Sequence, residues 1–540
     1  MKFDDLLTHH LGQFGLYQRV IYALICLPPI WCAISTYSWT FVGADIPHRL
    51  DTQGNVIETE TCTEGYVWDN TKIRTSATME WSLVCDRAWI KAAIQAGLYI
   101  GVGFGSLVLG YLANRFGRKP VIFYGTMLLT AANVLSAWSP NWIVFAVLRF
   151  LIGFFEPSLW QTPYCVSVEI CGPSTRMVSG QIIQVFFTIG MVLVGAEAYF
   201  IRDWKTLQLV ATAPSALFIA YYWILPESPR WLLSMGRRDE ALTIIRRMAQ
   251  VNGVNVTEEL LETLKEDDEE APKPEKQPLN PDTVANGHEN GLLANGYHTE
   301  EAGHHTPQSY SYLDLIRTPN MARKTMICCF CWTTVTLIYY AISLNPAAVA
   351  GEFYLAFILA SVIEVPAILF LILTLNYAGR KFLQAFGFLL SGIALIVIAT
   401  LPEGWDAVSL LFVNISKFAV VGAFCIIYLH TSEIFPTVLR AIALGLTVTF
   451  SRIGGIISPF ASMYMDVAGG EYRNIILTTF GVLACTAGFL TVLLPETAYR
   501  TLPETLHDGE QFGKPIRIFE RIRVVEPPQE TKLKEKGATA

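Results

Sequence analysis

Charge is what this chain has least of. Of its 540 residues only 16% are Asp, Glu, Lys or Arg, while 52% are hydrophobic, and mean hydropathy is +0.39. Soluble globular proteins carry roughly 25% charged residues. A chain this long and this poor in charge therefore sets much of its surface against lipid. Nothing is basic enough for a nucleic acid, and the formal net charge is −7. No phosphate-cradling glycine loop of a nucleotide-driven pump is present. No nucleophile–base pair or metal-ligand set emerges either, so neither an enzyme nor a cofactor is expected. A cleaved signal peptide is also not expected. The start, Met1-Lys2-Phe3-Asp4-Asp5, is acidic, and the first apolar run is helix-length without a small-residue cleavage site.

What is present is a series of long apolar runs. A span needs roughly 20 mainly apolar residues to cross ~30 Å of hydrocarbon. Twelve runs qualify, near 19–42, 91–113, 121–138, 141–165, 178–200, 205–225, 324–345, 351–376, 381–401, 407–430, 438–464 and 473–494. Lipid leaves no backbone group unsatisfied, so these are helices. The expected fold is an all-α membrane protein with twelve transmembrane helices in two pseudo-symmetric six-helix bundles. The bundles occupy 1–225, with an outside loop at 43–90, and 324–497. Between them lies an inside loop at 226–323, and a tail follows at 498–540. Within the inside loop, 267–309 is rich in Pro, Asn, Gly and Glu and too poor in large apolar residues to fold. His304 and His305 in that tract read as exposed filler rather than a metal site.

Basic residues set the orientation. Arg115, Arg118 and Lys119 follow span 2, Arg237, Arg238, Arg246 and Arg247 follow span 6, and Arg380 and Lys381 follow span 8. All fall on one face, which the positive-inside rule makes cytoplasmic, with both termini. Arg202 and Lys205, in the turn between spans 5 and 6, break the rule weakly. The sequons at Asn255 and Asn414 fall in the inside loop and within span 10, so neither is expected to carry a glycan.

The halves echo one another. Gly117-Arg118-Lys119 recurs as Gly379-Arg380-Lys381, 262 residues on. Glu169 with Arg176 recurs as Glu433 with Arg440, 264 on, and Pro226-Glu227-Ser228 as Pro495-Glu496-Thr497, 269 on. Duplicated halves are how many secondary transporters build a central site that faces each side in turn. The basic residues Arg115, Arg118, Lys119, Arg380, Lys381 and Arg440 and the acids Glu169, Glu227 and Glu433 are read as latches on the cytoplasmic face. They would hold the outward-facing state and break when the halves rock.

The stretch Gly110-Tyr111-Leu112-Ala113-Asn114-Arg115-Phe116-Gly117-Arg118-Lys119 resembles the major facilitator superfamily, with Asn114 where the superfamily usually has Asp. Three further motifs narrow the resemblance to the organic cation, anion and carnitine transporter family. They are Glu80-Trp81-Ser82-Leu83-Val84-Cys85, Pro226-Glu227-Ser228-Pro229-Arg230-Trp231-Leu232-Leu233 and Glu433-Ile434-Phe435-Pro436-Thr437-Val438-Leu439-Arg440. The resemblance runs from about residue 10 to 505 and implies a central substrate site. It places Trp160, Gln184, Phe187, Trp332, Tyr339, Glu364 and Arg452 there. It also implies a Cys62–Cys85 bridge in the outside loop. Residue chemistry agrees with the site: aromatic faces attract organic cations, worth roughly 0.5–2 kcal/mol each. Glu364 and Arg452 lie inside spans, where ionisable groups normally face a cavity.

The two charges also point to a solute class. The family's cation carriers typically have Asp where this chain has Arg452, and its anion carriers have Lys where this chain has Ile368. An acid in span 8 with an arginine in span 11 is similar to the carnitine and zwitterion branch. Glu364 would hold an ammonium and Arg452 a carboxylate. The branch's sodium-linked Asn in span 1 is replaced by Cys32, and a thiol is a poor ligand for a hard cation. Lys417 in span 10, and Glu156 and Glu197 near span ends, could each relay a proton, but are read mainly as charges snorkelling to the interface. The expected partners are a small organic solute and the lipid bilayer, at the plasma membrane. Two other readings stay open: a polyspecific organic cation transporter, and a transport-incompetent receptor or scaffold on the same fold.

Overall fold

The computed structural model describes residues 3–44, 73–172, 175–257, 312–344 and 353–515, apart from 403, 437, 468, 499, 501, 502 and 504. Tracts 267–309 and 516–540, with His304, His305 and Cys62, lie outside the described residues, so the expectations for them stand as read from sequence. Among the described residues, eleven helical stretches are long and apolar enough to cross a membrane. In chain order these give span 1, Leu16–Val42; span 2, Cys85–Phe116; span 4, Trp142–Ile170; span 5, Val178–Phe200; and span 6, Trp204–Ile224. The second half gives span 7, Pro319–Leu344; span 8, Phe353–Leu375; span 9, Arg380–Thr400; span 10, Asp406–Ile434; span 11, Ile442–Met465; and span 12, Tyr472–Val492. The twelfth place belongs to span 3, the helix Arg118–Ser136. It is less apolar because it serves the interior of its own half. Its Asn133 accepts from the Gln208 side chain at 2.8 Å and donates to Ser35 at 3.2 Å, all three residues being buried.

Several spans are broken. Pro28 and Pro29 restart the helix of span 1 after Leu27. Span 4 runs as Trp142–Phe155, a 3₁₀ turn Glu156–Ser158 containing Pro157, and then Gln161–Ile170. Span 8 runs as Phe353–Val362 and Glu364–Ala378. The central acid of each of these last two spans therefore opens a new helical segment, where the free N–H groups of a first turn favour a carboxylate.

Spans 2 and 11, and spans 5 and 8, pack across the seam between the halves. Toward the loops 43–90 and 345–352 the seam is filled by aromatics. Phe41 of span 1 stacks on Tyr354 at 5.8 Å and meets Phe357 edge-on at 5.0 Å, and Tyr199 of span 5 meets Tyr354 at 5.7 Å. The end of the long loop between spans 1 and 2 is tied to the turn between spans 5 and 6. Glu80 accepts from Lys205 at 2.8 Å and from the Trp204 ring at 3.0 Å, and Thr75 donates to Asp203 at 2.6 Å.

On the opposite face, part of the expected loop is structured. Helices Pro229–Ser234 and Arg238–Asn252 follow span 6. Leu242, Ile245 and Met248 bury against Phe3, Leu6, Leu7 and Leu11 at the chain start. Helix Leu506–Gln511 of the tail docks under span 7, where Glu510 accepts from Thr318 at 2.6 Å and from the Met321 amide at 3.1 Å. Lys324 donates to the Gly509 and Phe512 carbonyls.

Candidate functional site

The latch residues form two constellations of one design. In the first half, Arg118 donates through Nε and Nη2 to Glu169 at 3.2 and 3.0 Å and through Nη1 to the Ala113 carbonyl at 2.8 Å. Glu227 takes no cationic side chain. It accepts the backbone amides of Arg118 at 2.9 Å and Lys119 at 3.2 Å, the open first turn of span 3. A carboxylate at a helix N-terminus satisfies the amides that lack intrahelical partners. Gly117 makes the approach possible: its φ is +112°, and a Cβ there would lie 2.2 Å from Glu227 Oε2. Burial pushes the Glu227 carboxyl above the usual carboxylate range despite these donors.

The second half repeats the plan. Arg380 contacts Glu433 at 3.3 Å, and Glu496 accepts the amides of Arg380 at 3.0 Å and Lys381 at 3.1 Å after Gly379 at φ +82°. Glu496 belongs to an expected echo but not to the expected latch, and its capping role mirrors Glu227. Arg115 stands outside the first latch, bonded to the Tyr111 hydroxyl at 2.9 Å on the surface. Lys119 lies over the Tyr222 ring at 5.6 Å. Lys381 is buried, and neither it nor Arg440 lacks partners. The bonds of Arg118 and Glu227 join helices of the first half, and those of Arg380 and Glu496 join helices of the second.

The seven expected substrate residues have different surroundings. Trp160 is half-buried and meets Phe187 edge-on at 5.3 Å, and Phe187 in turn meets Tyr37 of span 1 at 6.2 Å. Gln184 lies one turn before Thr188, and the Thr188 hydroxyl crosses the seam to Glu364 Oε2 at 2.9 Å. The other Glu364 oxygen lies 3.0 Å from Lys417 Nζ, and both side chains are 0% exposed. Lys417 also sits over the Tyr339 ring at 3.7 Å and bonds to Ser343. Trp332 is fully buried, donating to Thr431 at 3.0 Å.

Two readings change here. Glu364, expected to hold an ammonium of the solute, is paired with Lys417, and Lys417 is no snorkelling helix-end residue. It lies about 11 residues, roughly 16 Å at ~1.5 Å per residue, into Asp406–Ile434. Glu156 likewise sits deep, at the break in span 4, and is buried. Its Oε1 accepts the Thr36 hydroxyl at 3.0 Å and the Cys32 thiol at 3.5 Å, while Oε2 has no partner.

Arg452 is the contrasting charge. It is half-buried, its Nε is buried without a partner, and among the described residues it makes no ion pair or hydrogen bond. Its electrostatic neighbours come from both halves: Cys32 and Glu156 from the first, Tyr340 and Tyr428 from the second. Tyr164, Tyr340 and Tyr428 are all partly accessible although they lie along the seam, and Cys165 beside Tyr164 is exposed. Sequence reading passed over Tyr37, Thr188, Tyr340 and Tyr428, which carry no charge to mark them. The depth of Glu156 and Lys417 was the available signal for those two. Cys85 is absent from the nine free cysteines, but Cys62 lies outside the described residues and the bridge stays an inference.

Known proteins agree with this architecture. Residues 65–507 match the family described as sugar (and other) transporter. A Drosophila melanogaster organic cation transporter protein is 32% identical, with 95% of each chain covered. The human organic cation/carnitine transporter 2 is 31% identical over 94% of each, and a Drosophila beta-alanine transporter 27% identical over 94% of this chain and 89% of its own. The Escherichia coli xylose transporter XylE, in a partially occluded inward-open conformation, superposes with a TM-score of 0.63 at 18% identity, covering 90% of this chain and all of its own. The chain is thus a multi-pass membrane transporter and not an enzyme, and it belongs to the organic cation, anion and carnitine transporter family of the major facilitator superfamily.

Proposed function

We propose that the protein moves small organic zwitterions across the plasma membrane by alternating access, with both termini in the cytoplasm. The supporting observation is Arg452: a guanidinium at mid-seam, half-buried and free of ion pairs. An ionisable group at such depth normally serves a pathway, and a planar guanidinium suits a carboxylate. The cationic end of the solute falls among Trp160, Tyr164, Tyr340 and Tyr428, whose ring faces attract an ammonium. Glu364 is ion-paired with Lys417 and accepts from Thr188 in this conformation. It acts on the solute as a shared counter-charge, reached directly only if Lys417 swings away. Gln184 and Phe187 complete the wall on span 5, and Trp332 and Tyr339 support it from span 7. The relatives named for carnitine and beta-alanine support the zwitterion class.

A second reading, an organic cation transporter proper, is favoured by the name of the Drosophila relative at 32% identity. Uptake of labelled carnitine, β-alanine and tetraethylammonium in cells separates the two. Arg452→Ala should abolish zwitterion uptake and spare tetraethylammonium, whereas Glu364→Gln should weaken both. Zwitterion uptake that survives Arg452→Ala refutes the carboxylate site. Movement of no solute across a broad panel favours the receptor or scaffold reading.

A further inference from the structure

The mechanism above leaves Glu156 without a task. This carboxyl is buried in the seam at the one break of span 4, and its geometry is unusual for a structural acid. A buried carboxylate is ordinarily paired or fully hydrogen-bonded. Glu156 has neither provision. Oε1 holds two weak neutral donors, the hydroxyl of Thr36 and the thiol of Cys32, and Oε2 holds none. No cation lies within ion-pair distance among the described residues, and Glu156 is not among the residues with further partners.

The titratable and charged groups facing it are few. Cys32 stands on span 1, Tyr99 on span 2, Arg149 on its own span, Tyr340 on span 7 and Arg452 on span 11. Arg149 is committed elsewhere, donating to the Ser35 carbonyl at 2.9 Å and to Gln95 at 2.6 Å. Arg452 is the uncommitted one. A carboxyl of the first half and a guanidinium of the second thus face each other across the seam, each with an unsatisfied atom. Broken spans with free helix ends are where secondary transporters hold coupling ions.

We propose that Glu156 is the proton-binding site that couples solute movement to a proton gradient, competing with the solute carboxylate for Arg452. This rests on the zwitterion reading. With Glu156 ionised, its carboxylate draws Arg452 and disfavours a second carboxylate beside it. A proton taken from the outside water by Oε2 neutralises Glu156 and leaves Arg452 free for the solute. After the halves rock, the solute leaves, Glu156 releases its proton to the cytoplasm, and the acid and Arg452 attract again. The two loads therefore travel in one direction. The sign follows: the solute-competent form is the protonated one, so uptake rises as outside pH falls.

The test uses the full chain reconstituted in lipid vesicles. Infrared difference spectra across the physiological pH range should show a protonated-carboxyl band that Glu156→Gln removes and Glu364→Gln keeps. Gln can still accept from Thr36 and Cys32, so the local fold is preserved. An inward proton gradient should raise labelled β-alanine uptake several-fold in the wild type. In Glu156→Gln that stimulation should vanish while counterflow exchange persists, which shows the variant folded. A band that survives Glu156→Gln, or stimulation that survives it, overturns the proposal. A wild type that shows the band yet moves neither β-alanine nor carnitine refutes the zwitterion reading and leaves the proton site standing.

Discussion

The latch of the first half and that of the second can be laid over one another almost residue for residue, but the centres of the two halves cannot. Glu227 and Glu496 cap equivalent helix starts, and Arg118 and Arg380 reach equivalent acids. At the centre, by contrast, Glu364 is ion-paired with Lys417 and accepts from Thr188, while Glu156 has no ion pair among the described residues. The duplication thus survives where a helix end must be closed, because every such end presents the same orphan amides. It has been lost at the seam between the halves. One central acid is ion-paired within the second half, and the other has no ion pair among the described residues.

The largest way to break this comparison is Lys417→Met. It strands a buried carboxylate, and removing one partner of a buried pair costs about 3–5 kcal/mol. Thermal unfolding of the purified protein should show the loss. The double variant Glu364→Gln, Lys417→Met should recover most of it, because Gln keeps the Thr188 bond and no charge is left unpaired. If the single variant is no less stable than the double, the ion pair of Glu364 is not what separates the two centres.

Sequence reading reached the two latches and missed this pair for one reason. A repeat carries its own register, so Gly117-Arg118-Lys119 and Gly379-Arg380-Lys381 announce equivalent turns without knowledge of depth. The depth of Glu156 depends on a span boundary that apolar runs mark only loosely: the run reads as 141–165, and the helix extends to Ile170. Lys417 lies mid-run in 407–430 as it does in Asp406–Ile434. What a single run does not display is its partner, Glu364 on another span. The capping role of Glu227 was also invisible, because it is made with backbone amides and not with the neighbouring cations that a charge pattern displays. Arg452 was legible because an arginine flanked by apolar residues and glycines on both sides has no nearby interface to reach.

The latches themselves allow a finer test. Arg118 has two bonds to Glu169, one to a backbone carbonyl and a place over the Trp231 ring at 5.8 Å. Arg380 contacts Glu433 through Nε alone, which finds no aligned hydrogen bond. Arg118→Ala should therefore cost about 2 kcal/mol and Arg380→Ala about 1 kcal/mol, given that hydrogen bonds to charged groups contribute roughly 1.5–3 kcal/mol and weakly oriented ion pairs less. Arg118→Lys should recover little, since an ammonium cannot reproduce the fork. Equal losses in melting temperature for the two alanine variants would mean that the halves are stiffened alike despite their different bonds.

The smallest effect separates two carboxylates on the same face. Burial raises Glu227, whereas Glu510 is held down to about 2 by the donors Lys514, Thr318 and the amides of Met321 and Asn320, which outweigh its own desolvation. The linkage signs are opposite. A raised carboxyl makes the folded state the better proton binder, so the contribution of Glu227 weakens as pH rises through its folded value. A depressed carboxyl does the reverse: the contribution of Glu510 is complete above the usual Glu value of ~4.3 and is lost as pH falls toward about 2. Near neutral pH, Glu510→Gln should loosen the docked tail helix by on the order of 1 kcal/mol, a factor of about five in amide exchange at Asn320 and Met321. That difference should close as the pH is lowered toward the folded value, since the wild-type carboxyl is then protonated too. A gap between variant and wild type that stays constant with pH would place the tail's anchoring in the apolar contacts of the helix and not in the charge of Glu510.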